Sequence, residues 1–255
     1  MTSAADESKS RNPAQIKAVC LDIDDTLLDS QSAARSSLRE LLGTDRAWPV
    51  WERTTDRYYA RFVTGQMPFD VMCVERTRAF FAAFGEDIDY AEAQSRENQR
   101  MEAMQRAWGL FDDVLDSLDW MRATGLRLAA VTNAPSAYQR KKLAAVGLAD
   151  AFDAVVISGE IGVAKPDPRI FHAACDSLGL QPHEVAHVGD KLTTDARGAA
   201  RAGLSGIWLN RHRIPAPRAH AEDTVPTITS LEELPELLVT EIAAPALADL
   251  VGQAR

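Results

Sequence analysis

Residues 19–29 read Val19-Cys20-Leu21-Asp22-Ile23-Asp24-Asp25-Thr26-Leu27-Leu28-Asp29. With Ala18 they form an apolar run without polar alternation, which breaks off into three aspartates, Asp22, Asp24 and Asp25. Such a run suits a central parallel strand covered on both faces, and in such sheets ligands sit off the carboxyl ends of the strands. Side chains alternate along a strand, so Asp22 and Asp24 share one side while Ile23 and Asp25 turn elsewhere. Two carboxylates held together repel. A bound cation relieves this, and an all-oxygen ligand set favours Mg²⁺ over zinc or copper. Read without such a ligand, the same acids are turn chemistry after a strand.

The chain has 255 residues, enough for one large domain or two smaller ones. Its net charge of −9 argues against nucleic-acid binding and against docking on an anionic membrane. A small anionic substrate stays open, because a local cation can reverse the sign of the field. Cys20, Cys73 and Cys175 are odd in number and far apart, which gives neither a disulfide framework nor a zinc site and fits a reducing cytoplasm. The polar residues 1–15 read as a loose N-terminal tail, and no apolar stretch has bilayer-spanning length.

After Asp29 the pattern turns helical. Ser30 or Ser32 is a candidate cap for a helix through Leu38, Leu41 and Leu42 that stops at Gly43. Trp51, Thr55, Tyr58 and Phe62 mark one face of a second helix; a third spans Phe69 to Phe84; a fourth, from Tyr90 to Trp108, puts Met101, Met104 and Trp108 on one stripe. Residues 30–112 therefore read as an all-helical insertion, its aromatic and methionine stripes being core. Arg53, Arg57 and Arg61 read as a solvated basic face.

From Val114 the period changes again. Helices are expected over Val114 to Ala123, Ser136 to Val146, Pro168 to Leu178 and Asp195 to Ala202, alternating with short apolar strands at Leu126 to Val131, Ala154 to Ile157, Val185 to Val188 and Gly206 to Leu209. This alternation defines an α/β fold, a Rossmann-like parallel sheet with helices on both faces. Residues 16–29 and 113–255 would form that core, with 30–112 inserted as a helical cap. Pro215, Pro217 and Pro226 lead into Ser230-Leu231-Glu232-Glu233, a capping box that opens a C-terminal helix.

The strand ends carry Asp22 and Asp24, then Thr132 and Asn133, then Asp190 and Asp195, and Lys165 follows the third strand. In a parallel sheet these ends share one edge. Singly, each has a structural explanation as turn, cap or surface charge. Together they supply carboxylates, a hydroxyl, an amide and an ammonium group, an inventory suited to phosphoryl transfer.

Four motifs in this order, DIDDT at Asp22 to Thr26, VTN at Val131 to Asn133, Lys165 within GVAKPDPRIF and GDKLTTD at Gly189 to Asp195, resemble the haloacid dehalogenase-like superfamily. The likeness runs from Ala18 to about Arg211 and is to its phosphatases with a helical cap between the first two motifs. It implies an Mg²⁺-dependent phosphomonoester hydrolase acting on a small phosphorylated metabolite through an aspartyl-phosphate intermediate. Asp22 would be the nucleophile and Asp24 the general acid and base. Thr132 and the backbone amides of Ile23, Asp24 and Asn133 would hold the phosphate, and Lys165, restrained by Pro166, would balance its charge. Mg²⁺ would be held by Asp22, the Asp24 main-chain carbonyl and Asp190, with Asp195 as a further ligand or a group that orients the ligands.

Two positions depart from the common pattern: Asp25 stands where many relatives have glycine, and Lys191 where a small hydroxyl residue is frequent. A phosphomutase or haloacid dehalogenase of the same superfamily is the enzyme alternative, although the dehalogenases generally lack an acid at the Asp24 position. A receiver-like signalling domain and a non-catalytic binding protein are the remaining readings. The expected protein is cytoplasmic, a monomer or homodimer, and its cap closes over the crevice, within reach of Trp48, Trp51 and Trp108 as reporters.

Overall fold

The computed structural model describes residues 16–215 and 224–239. The tail expected over residues 1–15 and Pro217 lie outside these residues. Six parallel strands form one sheet in the order β3-β2-β1-β4-β5-β6: β1 Ala18–Leu21, β2 Arg127–Thr132, β3 Ala154–Ile157, β4 Val185–Gly189, β5 Ser205–Leu209 and β6 Thr227–Ile228. β1 is central, paired with β2 on one side and β4 on the other. The strand order thus reverses beside β1, which opens a crevice at its carboxyl end. Sequence reading missed β6, because two residues are too short to show a period of two. Its pairing with β5 joins Trp208 to Thr227 and Leu209 to Ile228.

Alternation along β1 sends Val19 and Leu21 into one apolar layer and Ala18 and Cys20 into the other. The first layer is completed by helices α5 (Val114–Ala123), α6 (Ser136–Ala145) and α10 (Leu234–Leu237), through Leu118, Met121, Leu143 and Leu234. The second is completed by α8 (Pro168–Leu178) and α9 (Arg197–Arg201), through Ile170, Phe171, Leu178 and Ala199. A short helix α7, Ser158–Ile161, follows β3. Burying each such Val, Leu, Ile or Phe side chain contributes about 1.5–3 kcal/mol, so β1 is held by apolar burial from both sides. The expected C-terminal helix opens with the capping box at Ser230 but begins as a tight turn, Leu231–Glu233, before α10.

Four helices follow β1: α1 Ser30–Leu42, α2 Trp48–Val63, α3 Phe69–Ala82 and α4 Tyr90–Arg106. They have their own apolar cluster around Leu38, Trp51, Val74, Phe80 and Phe81. The cap of α1 is Asp29, whose side chain accepts from the Ser32 amide, and neither serine expected there. A side-chain oxygen one residue before the helix reaches that free amide, which is the geometry an N-cap requires. Of the aromatic stripe expected on α2, Trp51 is buried and Thr55, Tyr58 and Phe62 are half-buried. The buried stripe of α4 is Ala93, Glu97, Arg100 and Ala103, while the expected Met101, Met104 and Trp108 are only half-buried.

This polar stripe has a physical cause. Glu97 takes hydrogen bonds from Arg76 at 2.6 Å, Thr77 at 2.8 Å and both edges of Arg100 at 2.9 and 2.6 Å. The Arg76 and Arg100 guanidinium planes lie 4.5 and 4.7 Å from the Trp51 ring centre. Hydropathy periodicity cannot see such a core, because its charges cancel only in three dimensions. Burial opposes the ionisation of Glu97, but Arg100 and Arg76 outweigh it and hold the carboxyl below its ordinary value. Its contribution is therefore present above the ordinary glutamate pKa and lost as pH falls through the lower folded-state value. We expect Glu97→Gln to cost about 3–5 kcal/mol in urea unfolding at neutral pH, and the gap between native and variant to shrink in acid.

Candidate active site

Asp22 leaves β1 with its amide bonded to the Val188 carbonyl at 2.9 Å, which ties it to the neighbouring strand. Asp190 follows β4, its amide donating to the Thr26 hydroxyl oxygen at 3.1 Å. Asp195 lies in a widened helical turn, Leu192–Ala196, rather than in the regular helix expected from Asp195 onward. Two close approaches require that turn to pack tightly. A Cβ on Gly189 would lie 2.4 Å from the Asp195 carboxyl carbon, and one on Gly206 would lie 1.9 Å from the Ala196 carbonyl oxygen. Glycine at both positions lets Asp195 reach the strand ends.

One carboxylate oxygen from each of Asp22, Asp190 and Asp195 falls within 4.8 Å of the others. Lys165 enters the cluster buried, its Nζ 2.6 Å from Asp22, 2.6 Å from Asp195 and 2.8 Å from the Val131 carbonyl oxygen. Asp195 also accepts from the Lys191 amide at 2.9 Å and lies 3.5 Å from His187. Lys191 pairs with Asp190 at 2.8 Å.

The charges are out of balance. Burial pushes the Asp22 carboxyl well above its ordinary value, against the pull of Lys165, with Asp195 and Asp190 adding to the rise. Asp190 is raised to about 6, first by burial and then by Asp195, against the pull of Lys191. Asp195 goes the other way, because Lys165 overcomes its burial. Asp190 Oδ1 is buried without a hydrogen-bond partner among the described residues. A buried, unsatisfied carboxylate oxygen facing two more acids fits a divalent cation, and oxygen donors of this kind suit Mg²⁺. The Asp24 carboxylate is not part of this cluster.

Asp24 is instead held from the opposite side. Its Oδ1 accepts from the Ser30 hydroxyl and the Lys142 ammonium, and its Oδ2 accepts from Gln139 at 3.1 Å. Burial disfavours its charge, yet Lys142 and these hydrogen bonds prevail and lower its proton affinity. Lys142 is a functional candidate that sequence reading missed. It sits in a helix of mixed polarity beside Arg140 and Lys141, and nothing in the linear order marks it as the buried one.

The other expected residues gather nearby. Thr132 ends β2, buried. Ile23 is buried, its carbonyl accepting from the Leu27 and Leu28 amides at 2.9 and 3.0 Å. The Asn133 side chain clamps the Lys165 backbone in both directions, donating to its carbonyl at 2.9 Å and accepting from its amide at 2.8 Å. Asp25 has φ of 57° and accepts from the Gln31 amide at 2.8 Å. That left-handed backbone is one that glycine adopts without steric cost. Tyr59 of α2, off the aromatic stripe read from the sequence, sends its hydroxyl to the Asn133 carbonyl at 2.8 Å. Burial, then Asp24, Asp22, Asp195 and Asp190, raise its proton affinity, so the phenol stays neutral above this cluster. Arg53, Arg57 and Arg61 are exposed, as a solvated face requires.

Geometry and chain order together define an α/β enzyme whose acids meet at the edge of a parallel sheet. Residues 16–203 match the haloacid dehalogenase-like hydrolases, and the chain belongs to that family. It is 32% identical over 222 residues to the phosphoserine phosphatase of Thermus thermophilus, across 77% of this chain and 89% of that protein. Among solved structures, it resembles the haloacid dehalogenase-like hydrolase YfnB of Bacillus subtilis bound to magnesium, with a TM-score of 0.74, 26% identity, and coverage of 88% of this chain and 99% of that one. The L-2-haloacid dehalogenase of Xanthobacter autotrophicus shares the fold, with a TM-score of 0.70 and 23% identity over 89% of this chain and all (100%) of that one.

A cation at Asp22, Asp190 and Asp195 would displace the protons that burial favours on Asp22 and Asp190. Divalent-cation affinity is therefore expected to fall as pH drops through about 6, the value for Asp190. Calorimetry in buffers of different ionisation enthalpy should show proton release on binding near that pH and less of it well above. Affinity independent of pH would contradict this ligand set.

Proposed function

We propose that the chain is an Mg²⁺-dependent phosphomonoester hydrolase acting on a small phosphorylated metabolite. The observation that carries this reading is the pairing of Asp22 with a second acid, Asp24, that stands outside the cation cluster and has its own buried ammonium partner. A hydrolytic cycle needs one carboxylate to attack and another to move protons. A halide leaves without a proton, so an acid placed to protonate a leaving group favours an ester oxygen over a halogen.

In the first step a carboxylate oxygen of Asp22 bonds to phosphorus while the ester oxygen leaves, taking the proton of Asp24. Water then attacks phosphorus as Asp24 recovers a proton from it, and the Asp22–phosphate bond breaks to release inorganic phosphate. The lowered proton affinity of Asp24 in the free chain favours its ionised form, the one the second step uses. The negative charge of a bound phosphate beside Asp24 raises its proton affinity for the first. Thr132 and the amides of Ile23, Asp24 and Asn133 would bind the phosphate oxygens. Lys165 would neutralise charge between Asp22 and Asp195. Asp22, Asp190 and Asp195, with the Asp24 main-chain carbonyl, would hold Mg²⁺, which when bound offsets the charge of carboxylates and phosphate together.

Residues 30–112 would serve as the cap over a core of 16–29 and 113–255. The Tyr59 hydrogen bond to Asn133 joins that helical segment to the loop after β2, which supports the assignment. A cytoplasmic setting accords with three free, buried cysteines. No helix among the described residues is long and apolar enough to cross a membrane.

Phosphate release from a panel of phosphorylated metabolites, with and without Mg²⁺, tests this reading. Native chain should release phosphate only with the metal, Asp22→Asn should lose about 10³-fold or more, and Asp24→Asn about 10²- to 10⁴-fold. Metal-independent release, or an active Asp22→Asn, would sink the assignment.

A further inference from the structure

Two buried lysines serve the two acids that follow β1. Lys165 meets Asp22 and Lys142 meets Asp24; each ammonium-bearing side chain is 2% exposed. Lys165 belongs to the family pattern that the sequence displays, whereas Lys142 is unassigned. Its surroundings are unusual for a lysine. The ammonium lies 4.8 Å from the Tyr138 ring centre and 5.8 Å from that of Trp108, so aromatic faces and one carboxylate take the place of water. A buried ammonium is costly unless it is paired, and its carboxylate partner is Asp24. Asp24 itself is 36% exposed at the side chain, open to the crevice on its remaining side. A half-buried carboxylate on a loop, free on one side, would ordinarily sample several rotamers. This one cannot, because both oxygens are occupied by donors from two helices: Ser30 at the start of α1, and Gln139 and Lys142 on α6.

Gln139 and Lys142 are three residues apart and therefore share one helix face. Gln139 Nε2 reaches Asp24 Oδ2 and Lys142 Nζ reaches Oδ1, so α6 grips the carboxylate by both oxygens. Moving Asp24 toward the three-acid cluster would break this grip and leave an unpaired buried ammonium behind. The pairing thus keeps the Asp24 carboxylate out of the cation site.

We propose that Lys142, supported by Gln139, is a positioning residue that holds Asp24 in line with the ester oxygen, and so sets how well the enzyme cleaves esters whose leaving group needs a proton. The inference rests on the phosphatase reading above. Its signature is dependence on the leaving group. Departure of an alkoxide needs the proton that Asp24 supplies; departure of p-nitrophenolate, a weak base, does not. Attack of water in the second step needs Asp24 for either ester.

The test compares kcat and kcat/KM for an alkyl phosphate cleaved by the native chain and for p-nitrophenyl phosphate, using native chain, Lys142→Met, Gln139→Leu and Asp24→Asn, with the double variant Lys142→Met/Asp24→Asn. Methionine keeps the length and removes the charge, and thermal unfolding of each variant reports whether the fold persists. For Lys142→Met, kcat/KM on the alkyl ester should fall about 10²-fold, at least tenfold more than on p-nitrophenyl phosphate, while kcat falls on both. Gln139→Leu, which leaves the ammonium in place, should show the same pattern at smaller size and carries the test if Lys142→Met fails to fold. Adding Lys142→Met to Asp24→Asn should cost little more on the alkyl ester, because the lysine acts through that acid. Equal losses on the two esters, native kinetics in both single variants, or losses that multiply in the double variant would overturn the positioning role while leaving the phosphatase reading intact. Absence of phosphate release by the native chain would remove that reading and this inference with it.

Discussion

Three carboxylates drawn within 4.8 Å of one another form the constraint on which the rest of this structure depends. Buried acids at that spacing cannot all be ionised unless positive charge is brought among them. Lys165 supplies part of it and is held in place for that purpose from three directions: by Asp22, by Asp195 and by the Val131 carbonyl. The remaining imbalance appears in the raised proton affinities of Asp22 and Asp190 and in the unpartnered Asp190 Oδ1. An arrangement this unfavourable persists because the apolar layers on both faces of β1 determine where the strand ends lie. In the proposed reading, it is also what would make the crevice receptive to a cation and then to an anionic phosphate.

Around that cluster the acids are sorted by their partners rather than by their chemistry. Asp22 and Asp24 are identical side chains two residues apart, yet one faces the other carboxylates and the other is gripped by α6. Their proton affinities move in opposite directions, upward for Asp22 and downward for Asp24. Two like groups with separated proton affinities can divide the work of attack and proton transfer. Arg211 steadies the loop that carries them: its guanidinium bonds both oxygens of Asp113 at 2.8 and 2.9 Å and the Thr26 carbonyl at 2.8 Å. The loop after β1 is thereby tied to α5 and, through Asp113, to the chain at Ser230 and Leu231.

The helical segment follows a different rule from the sheet core. Its centre is a charge triad, Arg76, Glu97 and Arg100, with Trp51 against both guanidinium groups. A buried triad gains little stability over an apolar core of equal volume, but it tolerates few alternative packings. Helices α1, α3 and α4, which contribute Ser37, Arg76 and Glu97 to this network, are therefore held in one mutual register. Tyr59 sits on the neighbouring helix α2 and meets the core loop at Asn133.

The sequence by itself determined the parallel α/β sheet, the helical insertion, and the identities of Asp22, Asp24, Thr132, Lys165, Asp190 and Asp195 as the residues at the strand ends. Those features are local or periodic: apolar runs of strand length, helical spacing, and short motifs placed where a strand must stop. Strand β6, the Asp29 cap and the widened turn at Asp195 escaped it, being too short or too dependent on a neighbour's amide to leave a pattern. Only the tertiary structure decided which of three adjacent basic residues, Arg140, Lys141 and Lys142, is buried against Asp24, and that Tyr59 rather than Tyr58 reaches the loop after β2. It also turned a charged stripe, Glu97 and Arg100, inward where hydropathy called for methionine. For the charged groups the physical reason is shared: a charge is affordable in the interior only beside its counter-charge, and Arg76 lies 21 residues from Glu97 and Lys142 lies 118 from Asp24, separations that no local spacing records.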